Sequence, residues 1–316
     1  MLWKFIARRF AALVGILFVI SLGAFFLIHL LPGDPIITIL GPSATNENRR
    51  ILMAQLGLDQ PIYQQYLTWL GNVLHGNLGF SFIQHQNVTT TIANSFPIDV
   101  ELVVLSQIIA FSTAVPLAMA AAKRPNSLLD RLATTATFAA LALPSFVLIV
   151  LGVLVFAVHF HIFPGPGAYV PISQGFWTNI HAMILPSLVL AIGSVVVYFR
   201  LLRSDLVATL QEDYILMARS KGASDRRIMW RHAFRPSSVA LLATAAINIG
   251  SLIAGAFVVE YLLQLPGLGY SLVNAIGQDD YLTIQAIVLV VAVSVVVINF
   301  FADFMFSIID PRISRD

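Results

Sequence analysis

Six stretches of this chain are long and apolar enough to cross a lipid bilayer: about 9–31, 98–122, 132–158, 182–202, 237–259 and 283–309. A helical span needs about 20 predominantly apolar residues. In hydrocarbon only helices and closed barrels satisfy their own backbone groups. A barrel strand would alternate apolar and polar over about ten residues, whereas the run from Ile287 to Ile298 shows no alternation. The expected fold is therefore an all-α integral membrane protein with six transmembrane helices. Composition agrees, with 58% hydrophobic and only 11% charged residues. Soluble proteins carry about 25% charge, and so few charges cannot cover a globular surface of this size.

Orientation is read from lysine and arginine, which concentrate on the cytoplasmic side. With the N-terminus inside, the inner segments hold Lys4, Arg8 and Arg9; Lys123, Arg124 and Arg131; Arg200, Arg203, Arg219, Lys221, Arg226, Arg227, Arg231 and Arg235; and Arg312 and Arg315, which is 16 of the 18 basic residues. Only Arg49 and Arg50 fall outside, in a long segment where the rule has little force. Both termini are expected in the cytoplasm. The apolar run Phe10 to Leu31 exceeds the roughly 7–15 residues of a signal peptide and reads as an uncleaved first span.

The expected organisation is a cytoplasmic N-terminus and first span over 1–31, an outer segment over 32–97, and a core over 98–316 with the other five spans and a cytoplasmic loop at about 204–236. The outer segment is too long for a simple turn and is expected to hold short helices. Ile62, Tyr66, Trp69, Leu70, Val73 and Leu74 recur at helical spacing, which suits either a helix at the membrane surface or one packed on the bundle. Ala114, Ala118 and Ala122, and likewise Ala246, Gly250 and Ala254, place small residues four apart, a spacing that lets helices approach closely in lipid. Pro116 and Pro144 fall inside spans and are expected to kink them.

The loop between the fourth and fifth spans is too polar for lipid and too short for a domain. It runs Glu212-Asp213-Tyr214-Ile215-Leu216-Met217-Ala218-Arg219-Ser220-Lys221-Gly222-Ala223 and ends near Arg235. Acidic residues first and basic residues last favour a short helix through its dipole, and Gly222 suits the left-handed residue that ends one. Ser224 or Asp225 suits the cap of a second short helix, expected to reach His232. Tyr214, Met217, Ala218 and Lys221 are expected on one face of the first helix.

The pattern Glu-x-x-x-x-x-Ala-x-x-x-Gly at Glu212, Ala218 and Gly222 resembles the motif of permease subunits of binding-protein-dependent ABC importers. The wider chain resembles the first-type permease of the dipeptide, oligopeptide and nickel branch. The residues that carry this are Arg8-Arg9, Pro32-Gly33-Asp34-Pro35, Leu56-Gly57-Leu58-Asp59-Gln60-Pro61, Gln65-Tyr66, Gly76-Asn77-Leu78-Gly79, Glu212-Asp213-Tyr214, Pro266-Gly267-Leu268-Gly269 and Asp310-Pro311-Arg312. One departure follows His232-Ala233-Phe234-Arg235: the family usually has asparagine and then a proline four residues on, where this chain has Pro236 and Ala240.

The resemblance implies a bacterial inner-membrane subunit that pairs with a second homologous permease, two ATP-binding cassette ATPase subunits and an extracytoplasmic solute-binding protein. It implies import of di- or oligopeptides, with nickel or another small solute as the alternative. Glu212, Asp213, Tyr214, Ala218, Lys221 and Gly222 are then the expected contact with an ATPase. No cofactor is expected in this chain, because ATP and Mg would be bound by the partner ATPases, and no Gly-x-x-x-x-Gly-Lys-Ser/Thr loop occurs.

Ionisable residues in spans are costly and default to functional candidates. Asp99, Glu101 and Asp303 are candidates for the path or gate. Asp99 and Glu101 also fit the start of the second span, where a helix N-terminus favours acids, and Asp303 also fits a structural role. His29, His159 and His161 have no convincing carboxylate partner, and without cysteine no thiolate site exists, so no metal site is expected. The loop arginines suit anionic lipid rather than nucleic acid. No nucleophile or zinc signature marks an enzyme. An ion-driven secondary transporter, the reading from another class, would show two repeated halves, and none is evident.

Overall fold

The computed structural model describes residues 2–30, 40, 45–55 and 58–309. The helices, numbered in chain order, begin with α1 (Leu2–Leu30), α2 (Asn46–Gln55) and α3 (Ile62–Leu74). A two-stranded hairpin, β1 (Phe80–Ser81) and β2 (Gln86–Asn87), precedes α4 (Val88–Lys123), α5 (Leu128–Ala142) and α6 (Ser145–Gly152), which continues as a π-helical turn over Val153–His159. Then come α7 (Phe176–Thr209), α8 (Asp213–Ser220), α9 (Asp225–Arg227), a second π segment over Ile228–Phe234, α10 (Arg235–Leu263), α11 (Leu268–Gly277) and α12 (Tyr281–Ile309). Among the described residues five helical stretches are long and apolar enough to cross a membrane, and α5 with α6 makes a sixth if the bent pair is one span. The all-helical membrane fold is thus as expected, with one change. The third span is broken, not merely kinked, its halves meeting at 105°. Leu143 is extended and Pro144 sits at φ −57°, ψ 144°, because the proline ring drives the residue before it out of the helical region.

The chain forms two compact units, residues 1–99 with 266–300, and residues 100–265 with 301–316. In the first unit α3 packs on α1. Phe25 meets the rings of Tyr66 and Trp69 at 5.4 and 5.7 Å, and the Ser21 and Tyr66 hydroxyls lie 2.7 Å apart. The apolar face of α3 therefore owes its spacing to a helix neighbour in the same unit. The hairpin pairs Phe80 with Asn87 and Ser81 with Gln86. It is anchored where Ser81 donates to Asp280 at 2.6 Å, an aspartate that also accepts from the Thr283 hydroxyl at 2.7 Å at the start of α12. Val88, Ile92, Leu268, Ala286 and Ile287 form the core here.

The core of the second unit is built on small residues, as the spacing of Ala114, Ala118 and Ala122 anticipates. These three are 0%, 0% and 2% exposed and pack with Tyr198, Phe199, Leu202 and Leu206 of α7 and Leu241 and Ala245 of α10. The other set behaves differently: Gly250 is buried, but Ala246 is half-buried and Ala254 exposed within this chain, while Ala245 and Ala256 take the buried positions. The packed face of α10 is rotated from the one the spacing suggests. Close approach recurs where Gly152 faces Leu185 and Val189, whose methyls would lie 3.4 Å from an added Cβ. A buried polar chain crosses this unit. The Tyr198 hydroxyl donates to Gln107 at 2.9 Å and accepts from Asn248, which also donates to Ser194 at 2.7 Å. Hydrogen bonds of this kind join helices where hydrophobicity distinguishes poorly between protein and lipid.

Candidate functional site

The loop after the fourth span folds as helix, glycine turn and helix, entirely within the second unit. Glu212 occupies the N-cap position of α8 in extended conformation without a side-chain cap bond, and Asp213 stands in the first turn, where the helix dipole favours negative charge. Lys221 closes the helix, and Gly222 follows at φ +80°. Nothing lies within 4 Å of a Cβ placed on Gly222, so the backbone angle, not space, is what favours glycine there. Ala223 N–H returns to the Ala218 carbonyl at 3.1 Å and Gly222 N–H to that of Arg219 at 2.9 Å, satisfying carbonyls the helix end leaves open. Ser224 then caps α9 by accepting from the Arg227 N–H.

α8 has an inner and an outer face. Ile215 is fully buried and Ala218 half-buried, and α8 packs against the π segment. Tyr214, Leu216 and Met217 are 45%, 55% and 59% exposed, and Glu212, Asp213 and Lys221 are exposed beside them. Ala218 therefore belongs to the anchoring side and does not share the open face with Tyr214, Met217 and Lys221. Burial of its ring, and then the Glu212 charge, hold the Tyr214 phenol above its ordinary range.

The second short helix does not stop at His232. From Asp225 the chain stays helical through the π segment into α10, a stretch of 39 residues to Leu263, so the loop and the fifth span are one continuous rod. Pro236 lies in the first turn of α10, where its missing N–H is tolerated, and one extra residue per turn in the π segment absorbs the mismatch before it. The Tyr214 hydroxyl reaches across from α8 and donates to the His232 carbonyl at 3.2 Å.

The three acidic candidates are placed differently. α4 begins at Val88, so Asp99 and Glu101 both lie in its fourth turn and not at a helix start; the first turn holds no acid. Asp99, 3% exposed, accepts from the Leu268 N–H at 2.9 Å and so sits at the N-terminus of α11, a different helix, within the first unit. Glu101 belongs to the second unit. It accepts from the Tyr169 hydroxyl at 3.3 Å and faces Asn179 of α7, whose amide donates to the Val170 carbonyl at 2.9 Å. Together with Gly167 N–H on the Leu263 carbonyl at 2.9 Å, these bonds fasten the loop 160–175 to α4, α7 and α10. Burial first, and then the Glu101 charge, push the Tyr169 phenol up to about 12. Asp303 lies in α12, and its side chain is outside the described residues, as are Pro32-Gly33-Asp34-Pro35 and Asp310-Pro311-Arg312.

Sequence reasoning missed the partners: Asn179, Tyr169, and the ion pair of Asp130 with Arg203. The signal available was polarity inside or beside an apolar run, which marks each of them but names no partner. Among the described residues no group of three metal-ligating side chains gathers.

Long apolar helices, one of them broken, with a polar helix–glycine–helix loop continuous with a span, define a multi-pass membrane transport subunit. The chain belongs to the binding-protein-dependent transport system inner membrane component family, whose model matches residues 114–315, and the model of that component's N-terminal part matches residues 1–103. It is a permease subunit of the ABC-importer type. Similar proteins include the oligopeptide transport system permease protein AppB of Bacillus subtilis, 33% identical over 98% of each chain. The glutathione transport system permease protein GsiC of Escherichia coli is 32% identical and the dipeptide transport system permease protein DppB of the same species 30% identical, each again over 98% of both chains.

Proposed function

We propose that this subunit, paired with a second homologous permease, forms the path by which di- or oligopeptides enter the cell, and that α8 with its glycine turn is the element on which a partner ATPase acts. Two ATPase subunits engage the cytoplasmic face, and an extracytoplasmic binding protein delivers the peptide. The observation that carries the coupling role is the continuity of the loop with the fifth span. A push on α8 reaches α10 through Ile215, Ala218 and an unbroken helical rod. The exposed Tyr214, Leu216 and Met217, flanked by Glu212, Asp213 and Lys221, offer the mixed apolar and charged surface that a protein groove takes. The placement of 16 of the 18 basic residues supports a cytoplasmic loop and cytoplasmic termini. The peptide cargo is supported by three relatives of nearly full-length coverage, named for oligopeptides, glutathione and dipeptides.

The test is uptake by the four-subunit importer in proteoliposomes with its binding protein, using labelled dialanine, glutathione and nickel with and without ATP. ATP-dependent uptake of a peptide is expected. Uptake of nickel alone would overturn the cargo, and uptake without ATP would overturn the class of energy supply. Glu212→Ala and Gly222→Val are expected to abolish uptake or ATPase association. Full uptake in both, at normal protein level, would overturn the coupling role.

A further inference from the structure

Helix α3 carries more apolar surface than its neighbour covers. Successive residues turn by about 100° around a helix, which divides α3 into three sides. Tyr66 and Trp69 mark the side that meets α1, and Val73 shares it. Tyr63, Leu67 and Leu74 form the adjoining side and are 62%, 62% and 76% exposed. Gln64, Thr68 and Asn72, also exposed, form the third. No residue from Ile62 to Leu74 is charged. The helix is amphipathic with a wide apolar arc, and α1 fills one edge of that arc.

The contacts with α1 set the depth of α3. The apolar span of α1 runs from Arg8 to Ile28. Ser21, whose hydroxyl lies 2.7 Å from that of Tyr66, precedes Ile28 by seven residues, and Phe25, 5.7 Å from Trp69, precedes it by three. At about 1.5 Å per residue these contacts lie roughly 5–10 Å inside the end of the span. An amphipathic helix lying in the plane of a membrane buries its apolar face to a similar depth, about 5–10 Å. A helix held beside Ser21 and Phe25 does not stand clear of the bilayer that α1 crosses. Without a charge in α3, burial to that depth carries no cost of desolvating an ion.

The neighbouring surface is apolar and open as well. Phe18, whose ring meets that of Tyr66 at 6.4 Å, stays 52% exposed. Among the described residues α1 is the least buried of the five long apolar helices. Exposed apolar surface of both helices therefore meets around the Tyr66 ring.

We propose that α3 lies in the bilayer, in the leaflet that α1 reaches at its C-terminal end, and that lipid acyl chains cover Tyr63, Leu67 and Leu74. α1 covers Tyr66 and Trp69, and Gln64, Thr68 and Asn72 face headgroups and water. The partner of the open apolar side is lipid and not protein. In the orientation proposed above this is the outer leaflet. The segment between the first two spans is then held at the membrane by a helix that does not cross it, gripped by a span on one side and by lipid on the next.

The chain has no cysteine, so one introduced cysteine carries a spin label at a single known site. Tyr63→Cys, Leu67→Cys, Gln64→Cys and Thr68→Cys are labelled before assembly with the partner subunits. The importer is then reconstituted in vesicles of phosphatidylethanolamine and phosphatidylglycerol. Collision of the label with molecular oxygen, which concentrates in lipid, is compared with collision with a water-soluble nickel chelate. Oxygen is expected to dominate at 63 and 67, at a depth of about 5–10 Å, and the nickel chelate at 64 and 68. Dominance of the nickel chelate at 63 and 67 would place this side in water and overturn the proposal. Low collision with both reagents there would place a protein on it and overturn the proposal equally. Leu74→Cys, on the same side, replaces either apolar position should its label disturb the helix. ATP-driven dialanine import is read in the same vesicles, so a misplaced α3 and a wrong cargo are told apart.

Discussion

Asp130 and Arg203 form a two-point ion pair that joins the first turn of α5 to the end region of α7: Nη2 donates to Oδ2 at 2.6 Å and Nε to Oδ1. The side chains are 3% and 28% exposed. The Asn126 N–H also donates to Asp130, at 2.8 Å. The planar guanidinium matches the carboxylate at both oxygens, which lysine cannot do.

Removing one member leaves the other uncompensated, and a buried charge without its partner costs about 3 kcal/mol. Arg203→Ala is therefore expected to destabilise more than Asp130→Ala, because the aspartate is the more buried of the two. The double variant should be less destabilised than the sum of the singles. Melting of the purified chain in detergent, followed by tryptophan fluorescence, checks this. Strict additivity would remove the ion pair from the account.

Gly222 separates backbone angle from space. At φ +80° with nothing within 4 Å of an added Cβ, Gly222→Ala is expected to cost about 1 kcal/mol through the left-handed conformation alone. Asparagine tolerates that region better, so uptake should fall in the order Gly, Asn, Ala, Val. Transport activity per complex, measured across these four, tests it. An asparagine variant worse than valine would point to a lost contact at Gly222 instead of strain.

Asp99 holds the first N–H of α11. Loss of a capping acceptor costs about 1 kcal/mol. Asp99→Ala is expected to loosen Leu268–Gly277, seen as faster hydrogen exchange there, while Asp99→Asn keeps an acceptor and most of the protection. If exchange is untouched but uptake falls in both, Asp99 acts on cargo and not on the helix.

Tyr169 bears on alkaline stability. Its phenol is raised from 10.0 to about 12, so the folded protein holds that proton more tightly than the unfolded chain. The contribution is therefore complete below about pH 10 and is lost as pH rises through about 12. A difference titration of tyrosinate absorbance between the wild type and Tyr169→Phe should show one group ionising near 12. Ionisation near 10 would mean the loop 160–175 is not fastened to Glu101.

The expected span from 132 to 158 hides its break, because Leu143 and Pro144 sit among residues as apolar as the rest. A proline inside a hydrophobic run shows where bending is allowed, and the neighbours decide how far it goes. The helix containing Asp99 begins at Val88 because Val88 and Ile92 find a core with Leu268 and Ile287, and Leu268 and Ile287 lie far along the chain. Ala246 and Ala254 share their spacing with Ala114 and Ala122. Whether such a stripe is packed depends on which face of the helix another helix approaches.

The number of spans, the charge bias between loops, the glycine-closed loop helix and the family were legible in the chain itself. Each rests on local quantities: a length of apolar residues, a count of arginines, a dipole, a residue without a Cβ. Partnership came only with the tertiary structure. Asp130 with Arg203, Glu101 with Tyr169, Asp99 with the start of α11 and Tyr214 with the His232 carbonyl each join residues that local patterns leave unpaired. A hydrogen bond depends on a few tenths of an ångström between groups brought together by packing, and no periodicity along the chain encodes that distance.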